Sequence, residues 1–240
     1  MTEARAGVAA FAAARAAVLA RIAAACDRVG RSPADVTLVA VSKTVDPARL
    51  RDAVEAGLTL LGENRVQEGV AKAVEVPGAH WHLIGPLQSN KARRAIEVYE
   101  VIESVESVGL AERLDRLARE IRDAGPGSGY PVLLQVNVDD DPAKAGFKPD
   151  ALPEALDRLA ALDALEVRGL MTIGRLVSDA QAARPTFVAL RELAARLRGS
   201  GSILGPELSM GMSDDFEVAV EEGATIVRVG RALFGDRPPA

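Results

Sequence analysis

The chain has 240 residues, 48% of them hydrophobic and 26% charged, with a formal net charge of -5. That length buries a sizeable core, and it is one at which α/β barrels form a single domain. The mildly acidic balance argues against nucleic acid or an anionic membrane as a partner, since either calls for clustered Lys and Arg, and it favours a small-molecule ligand.

From Gly7 to Cys26 the chain is rich in alanine, with Arg15 and Arg21 interrupting it, which points to a helix rather than a membrane span. Phe11, Val18, Ile22 and Val29 fall on one side of a helical wheel and form the expected core-facing stripe. Arg15 lies near that stripe with no evident partner. Glu3, Asp27 and the continuation into Gly30-Arg31-Ser32-Pro33 argue for an ordinary helix with a stop, not a transit peptide, and so for a soluble protein. The single cysteine, Cys26, excludes an intrachain disulfide, is compatible with a reducing cytoplasm, and is expected to pack as a small apolar residue.

Beyond this helix, short β-branched runs alternate with amphipathic segments, the pattern of parallel strands joined by helical crossovers. Strands are predicted at Thr37 to Ser42, Leu58 to Leu61, Trp81 to Ile84, Val98 to Ile102, Val132 to Val138, Val167 to Ile173, Glu207 to Met210 and Thr225 to Val229. The helices between them are predicted at Pro47 to Ala56, Glu63 to Val76, Ser89 to Val98, Leu110 to Ala124, Pro153 to Leu162, Ala180 to Leu197 and Asp214 to Glu222. About eight strands close a barrel, so the expected fold is α/β, a single TIM-type (β/α)8 barrel with an extra N-terminal helix. A doubly wound open sheet is the alternative. Gly125 to Gly129 and Gly199 to Ser202 read as short αβ loops, and the first lacks the strand-before-helix context of a dinucleotide site. With Arg237-Pro238-Pro239-Ala240 closing the chain, residues 1–240 are expected to form one domain.

Lys43 ends the apolar run Leu38-Val39-Ala40-Val41-Ser42, where a parallel strand delivers its last side chain to a pocket. Burial there would favour the neutral amine that attacks aldehydes; a lysine reaching out to solvent is the simpler reading. In Leu208-Ser209-Met210-Gly211-Met212-Ser213-Asp214-Asp215-Phe216 a strand end opens into a helix. Gly211 would allow close backbone approach to a ligand, and Ser213 is placed to cap that helix near an anion. The last strand ends Val227-Arg228-Val229-Gly230-Arg231, with Arg228 expected inside the barrel, where it needs an anion, a polar ligand atom or a carboxylate. Loops after strands seven and eight commonly bind phosphate in such barrels. Together with an imine-capable lysine they describe a site for a phosphorylated aldehyde.

Val39-Ala40-Val41-Ser42-Lys43-Thr44, Gly62-Glu63-Asn64-Arg65-Val66-Gln67-Glu68, the run from Trp81 to Lys91, Gly169 to Ile173, Leu208 to Ser213 and Val227 to Gly230 closely resemble the pyridoxal phosphate homeostasis proteins, the YggS/PROSC family, over nearly the whole chain. The resemblance implies pyridoxal 5′-phosphate (PLP) held on Lys43 as an internal aldimine. It implies Asn64 lining the ring, Ser209 or Ser213 with Gly230 and the backbone of Arg231 at the phosphate, and Arg228 facing the pyridine nitrogen. Met171, Met210 and Met212 would pack on the ring or fill the core. Where this chain has Arg231, family members commonly have a small hydroxyl residue, so either backbone or guanidinium would take over that phosphate contact. A permanent cation at the pyridine nitrogen weakens the electron sink, which suits a carrier better than an aminotransferase.

The implied function is PLP homeostasis inside the cell, with PLP as ligand, delivery to apo PLP-dependent enzymes, and a cytoplasmic monomer as the working state. A weak PLP-dependent racemase using Lys43 is the alternative, although Tyr99 and Tyr130 are not placed as an opposite base; a Schiff-base aldolase acting on sugar phosphates is a third reading. His80 and His82 read as a structural or pocket-lining pair rather than zinc ligands, and Asp139-Asp140-Asp141 as a solvated turn. Lys91 and Lys144 read as solvated surface lysines that could alternatively meet a second anion or accept transferred cofactor.

Overall fold

A computed structural model describes residues 2–174 and 179–235. Arg237 to Ala240, on which the single-domain expectation partly leaned, lie outside the described residues. Eight parallel strands follow one another around a closed barrel: β1 (Thr37–Val41), β2 (Leu60–Glu63), β3 (His80–Leu83), β4 (Val101–Val105), β5 (Tyr130–Gln135), β6 (Leu165–Met171), β7 (Glu207–Met212) and β8 (Ile226–Val229). Pairing of β1 with β8, from Thr37 opposite Ile226 to Ala40 opposite Val229, closes the ring and rules out the open doubly wound sheet.

The helices are α1 (Thr2–Arg28), α2 (Pro47–Glu55), α3 (Val66–Glu75), α4 (Ala92–Val98), α5 (Val108–Arg122), α6 (Leu152–Leu159), α7 (Arg184–Gly199), α8 (Phe216–Glu221) and α9 (Arg231–Phe234). Their starts obey local chemistry. Asp46 accepts from the Ala48 N–H ahead of Pro47 in α2, and Ser107 accepts from the Leu110 N–H in α5. Several boundaries differ from expectation. β2 and β4 run two or three residues later than predicted, because Leu58 and Val98 to Tyr99 are apolar residues of the layer outside the barrel rather than strand residues. Glu63 therefore belongs to β2, not to the helix predicted to start there.

Side chains two apart on a strand share a face, so the inside of the barrel can be read by parity. Val39, Ile84, Val101, Leu133, Met171 and Ile226 form an interior cluster, with Val41, Leu60 and Ile173 packed against it. A larger apolar layer lies between strands and helices. Register irregularities occur between β4 and β5, between β5 and β6, and between β7 and β8.

Helix α1 packs on α2, α8 and α9 and so covers the seam where β8 meets β1. By length and composition alone it could cross a membrane. Here Phe11, Val18, Ile22, Ala25 and Cys26 are buried against the barrel's outer layer, and Arg21 and Arg28 reach Glu217 and Glu221 at 2.6 and 2.7 Å. Val29 departs from the predicted stripe: the helix ends at Arg28, which turns Val29 outward to 43% exposure. Arg15 lies alongside Gly57, where an added Cβ would sit 3.5 Å from its Cζ.

Candidate functional site

The carboxyl ends of the strands gather most of the residues singled out by sequence. Val39 and Val41 belong to the interior cluster, and Lys43 lies half-buried in the turn just past the end of β1. The backbone beneath it is tightly held. Thr44 adopts φ 67°, a left-handed conformation uncommon for a β-branched residue. Its N–H donates to Glu68 Oε1 at 2.6 Å. On the other side, the Ser42 carbonyl accepts from Lys72 Nζ at 2.8 Å, while the Ser42 hydroxyl donates to Glu63 Oε1 at 2.7 Å.

On the neighbouring strand, Gly62 faces inward: a Cβ there would lie 2.7 Å from Val39 Cγ1 and 3.1 Å from Ile84 Cδ1. Asn64 follows directly on the end of β2, in a bend. Its backbone is packed so closely on Gly85 that an added Cβ would lie 2.3 Å from the Asn64 carbonyl oxygen. Met171, the last residue of β6, is wholly buried in the interior cluster.

The middle of the barrel carries a chain of polar groups. Arg228 points inward as expected and is 4% exposed; its guanidinium donates to Ser209 Oγ at 2.5 Å and to the Thr172 carbonyl at 2.7 Å. Ser209 in turn donates to Glu103 Oε2, and Glu103 Oε1 accepts from His82 Nδ1 at 2.7 Å. Burial alone would raise the Glu103 carboxyl, but His82, Arg228 and Ser209 together hold it below the ordinary glutamate range. Burial also presses the Arg228 guanidinium down, opposed by Glu103 and Asp215. The carboxylate that an inward arginine demands is thus Glu103.

At the ends of β7 and β8 the structure corrects one expectation. Ser213 does not cap the following helix, which begins at Phe216 behind Asp215. The cause is a bulge: Ser209 pairs with Ile226 but Met212 with Arg228, so β7 holds one extra residue there, and Gly211 sits at φ 90°. That extra residue turns Ser213 across to β8, where its Oγ accepts from the Gly230 N–H at 3.1 Å. Gly230 itself abuts Val41 of β1, 3.4 Å from Cβ to the Cβ it lacks. The Arg231 side chain is paired with Asp214 in solvent. Ser209 lies a layer deeper, wholly buried against Glu103 and Arg228.

Other candidates lie apart from this arc. His80 pairs with Glu100 at 2.7 Å at the opposite end of the barrel from Lys43, whereas His82 belongs to the interior chain. Lys91 is half-buried in a groove of about 330 Å³ lined also by Asn64, Arg65, Gln67 and Gln88. Lys144 is not a solvated surface lysine: its side chain is 22% exposed, 3.8 Å from Asp139 and 3.6 Å from Asp141. The acidic run is only partly a solvated turn, since Asp139 accepts from Thr186 Oγ1 at 2.7 Å and Asp140 alone is fully outward. Tyr99 and Tyr130 are buried outside the barrel wall, where they donate to the carbonyls of Arg65 and Tyr99.

Sequence reasoning missed Glu103, Glu63, Glu68 and Lys72. A single charge inside an apolar run, as in Val101-Ile102-Glu103-Ser104-Val105, is the same signal that marked Arg228. It was lost with the early placement of β4.

The alanine racemase N-terminal domain family matches residues 5–238. A pyridoxal phosphate homeostasis protein from Pseudomonas aeruginosa is 44% identical over 225 residues, 92% of this chain and 93% of that protein. The chain belongs to this family. A pyridoxal phosphate homeostasis protein from Aquifex aeolicus is 41% identical, covering 92% of this chain and 95% of its own. Among solved structures, PipY of Synechococcus elongatus with PLP bound superposes at a TM-score of 0.77 with 43% identity, covering 89% of this chain and all of that one. Alanine racemase of Clostridium difficile, at 16% identity and a TM-score of 0.66, shares the fold; this chain covers 56% of it.

Proposed function

We propose that this chain binds PLP covalently through the Lys43 amine and serves its homeostasis in the cell. The observation that carries this reading is one continuous arc on strands β7, β8, β1 and β2. Ser213 and the Gly230 N–H meet at one end, Arg228 lies a layer below, Lys43 stands on the adjoining strand, and Asn64 follows. A hydroxyl, backbone N–H groups, an amine and a buried cation suit a phosphorylated aromatic aldehyde. The PLP-bound relative supports the same reading.

In that reading Ser213, Gly230 and the Arg231 backbone hold the phosphate. Asn64 borders the ring, Met171 supports it from inside the barrel, and Lys43 supplies the nucleophile. Ser209 steadies Arg228 rather than touching phosphate, and Arg228, fixed as a cation, discourages a proton on the pyridine nitrogen. Bound there, the cofactor supplies an aldehyde that condenses reversibly with a primary amine. The chain acts as a non-catalytic carrier that delivers PLP to apoenzymes, as a single-domain cytoplasmic monomer. Support for the monomer is that the large apolar residues exposed among the described ones, Val29, Val74 and Ile203, lie on three separate elements. Support against racemisation is that both tyrosines lie outside the barrel wall, away from the arc.

Borohydride reduction of PLP-saturated protein, followed by peptide mass analysis, tests the reading. A pyridoxyl group on the Lys43 peptide is expected, and an unmodified Lys43 would overturn it. Alanine or serine racemisation at ordinary enzyme rates, lost in Lys43→Ala, would overturn the carrier role instead.

A further inference from the structure

We propose that a buried ionic cluster of Lys72, Glu63 and Glu68 positions Lys43 for capture of the aldehyde, an inference that rests on the role of Lys43 proposed above. Lys72 lies on α3, far along the sequence from Lys43, yet it is 6% exposed and its ammonium is fully used. Its three donors reach the Ser42 carbonyl at 2.8 Å, Glu63 Oε1 at 2.7 Å and Glu68 Oε1 at 2.6 Å. Glu68 Oε1 also accepts the Thr44 N–H at 2.6 Å, and Glu63 Oε1 accepts the Ser42 hydroxyl. The peptide groups before and after Lys43 are thereby tied to one ammonium through single-atom links.

A buried ion cluster stabilises a fold no better than apolar residues of the same volume. Its value here is directional. Thr44 holds a left-handed backbone that a β-branched residue avoids. The Glu68 carboxylate on its N–H keeps it so, and the turn thereby fixes the direction of the Lys43 side chain just past the end of β1. The run from Gly62 to Glu68 supplies both acids, and Lys72 follows Glu68 by one helical turn.

The step served is simple. The Lys43 nitrogen adds to the aldehyde carbon, a carbon–nitrogen double bond replaces the carbonyl, and the oxygen leaves as water with the two amine protons. No oxidant or reductant takes part. An amine misplaced by about 1 Å loses on the order of 10- to 100-fold in such a reaction.

The test compares wild type with Glu68→Ala and Glu68→Gln. Timed borohydride trapping of PLP on Lys43 gives the capture rate, and calorimetry with pyridoxine 5′-phosphate, which lacks the aldehyde, gives noncovalent affinity. Glu68→Ala is expected to slow capture about 10- to 100-fold with unchanged pyridoxine 5′-phosphate affinity. Glu68→Gln, which keeps an oxygen for the Thr44 N–H, is expected to recover most of the rate. The double variant Glu63→Gln with Lys72→Met, which removes the ammonium and its buried partner together, is expected to behave like Glu68→Ala. Capture at the wild-type rate in Glu68→Ala, or an equal loss for both ligands, would overturn the inference and leave the PLP reading standing. Wild-type protein that binds pyridoxine 5′-phosphate but never traps PLP on Lys43 would overturn the role of Lys43, and this inference with it.

Discussion

Arg228 is a cation buried inside the barrel, and what surrounds it explains how the cost of burial is offset. A guanidinium in an apolar interior is tolerated only with an ionised partner and filled donors, which Glu103, Ser209 and the Thr172 carbonyl provide. Replacing it with methionine removes the cation that faces Glu103 through Ser209 while His82 still holds the carboxylate, and the expected cost is about 1–3 kcal/mol, read as a fall in the urea midpoint at constant slope. Glu103 also sets a pH dependence. Its folded value lies below its unfolded one, so the unfolded chain binds the extra proton in the window between them. Stability from this group is complete above about pH 4.3, the ordinary glutamate value, and is lost as pH falls through the lower folded value. Urea midpoints of Glu103→Gln against wild type across the acid range are expected to lack that share of the acid-side slope. At the mouth, Ser213→Ala removes one hydroxyl contact to the proposed phosphate, with an expected loss of about 1 kcal/mol in PLP affinity, measurable by equilibrium titration. Lys43, Arg228 and Gly230 were legible in the sequence because each interrupts or ends an apolar strand signal. Lys72 was not, since Ser42 and Glu63 are brought to it only by the packing of α3 beside β2.

At the level of elements, boundaries rather than identities were hard to read. Apolar runs outside the barrel at Leu58 and Val98 look like strand to a periodicity argument, although they pack under helices. The bulge in β7 was invisible for a related reason: Gly211 announces close approach, but an extra residue shows only when the partner strand is known. Its consequence is testable. An alanine at 211 would have to adopt φ 90° and would lie 2.5 Å from Ala219 Cβ. Gly211→Ala is expected to lower stability by a few kcal/mol, on the order of 1–3 from the backbone alone, and to weaken inorganic phosphate binding by turning Ser213 away; calorimetry and a phosphate titration check the two effects. Helix α1 is likewise anchored by one buried stripe. Ile22→Ala, at a wholly enclosed position, is expected to cost about 2–5 kcal/mol in chemical denaturation.

For the whole molecule, the alternation of strand and helix pointed to a barrel, while closure itself needed the pairing of first and last strands. That pairing has a consequence for the order of events during synthesis. Lys43 emerges from the ribosome well before Gly230, yet the proposed ligand needs both, at the ends of the two strands whose pairing closes the ring. A nascent chain that has not yet reached β8 therefore has the amine but lacks Gly230 for the anionic tail, and the proposed site is complete only in a closed ring. Occupancy would then act as a staple across the join, resisting the reopening of the one seam that brings the two ends of the fold together.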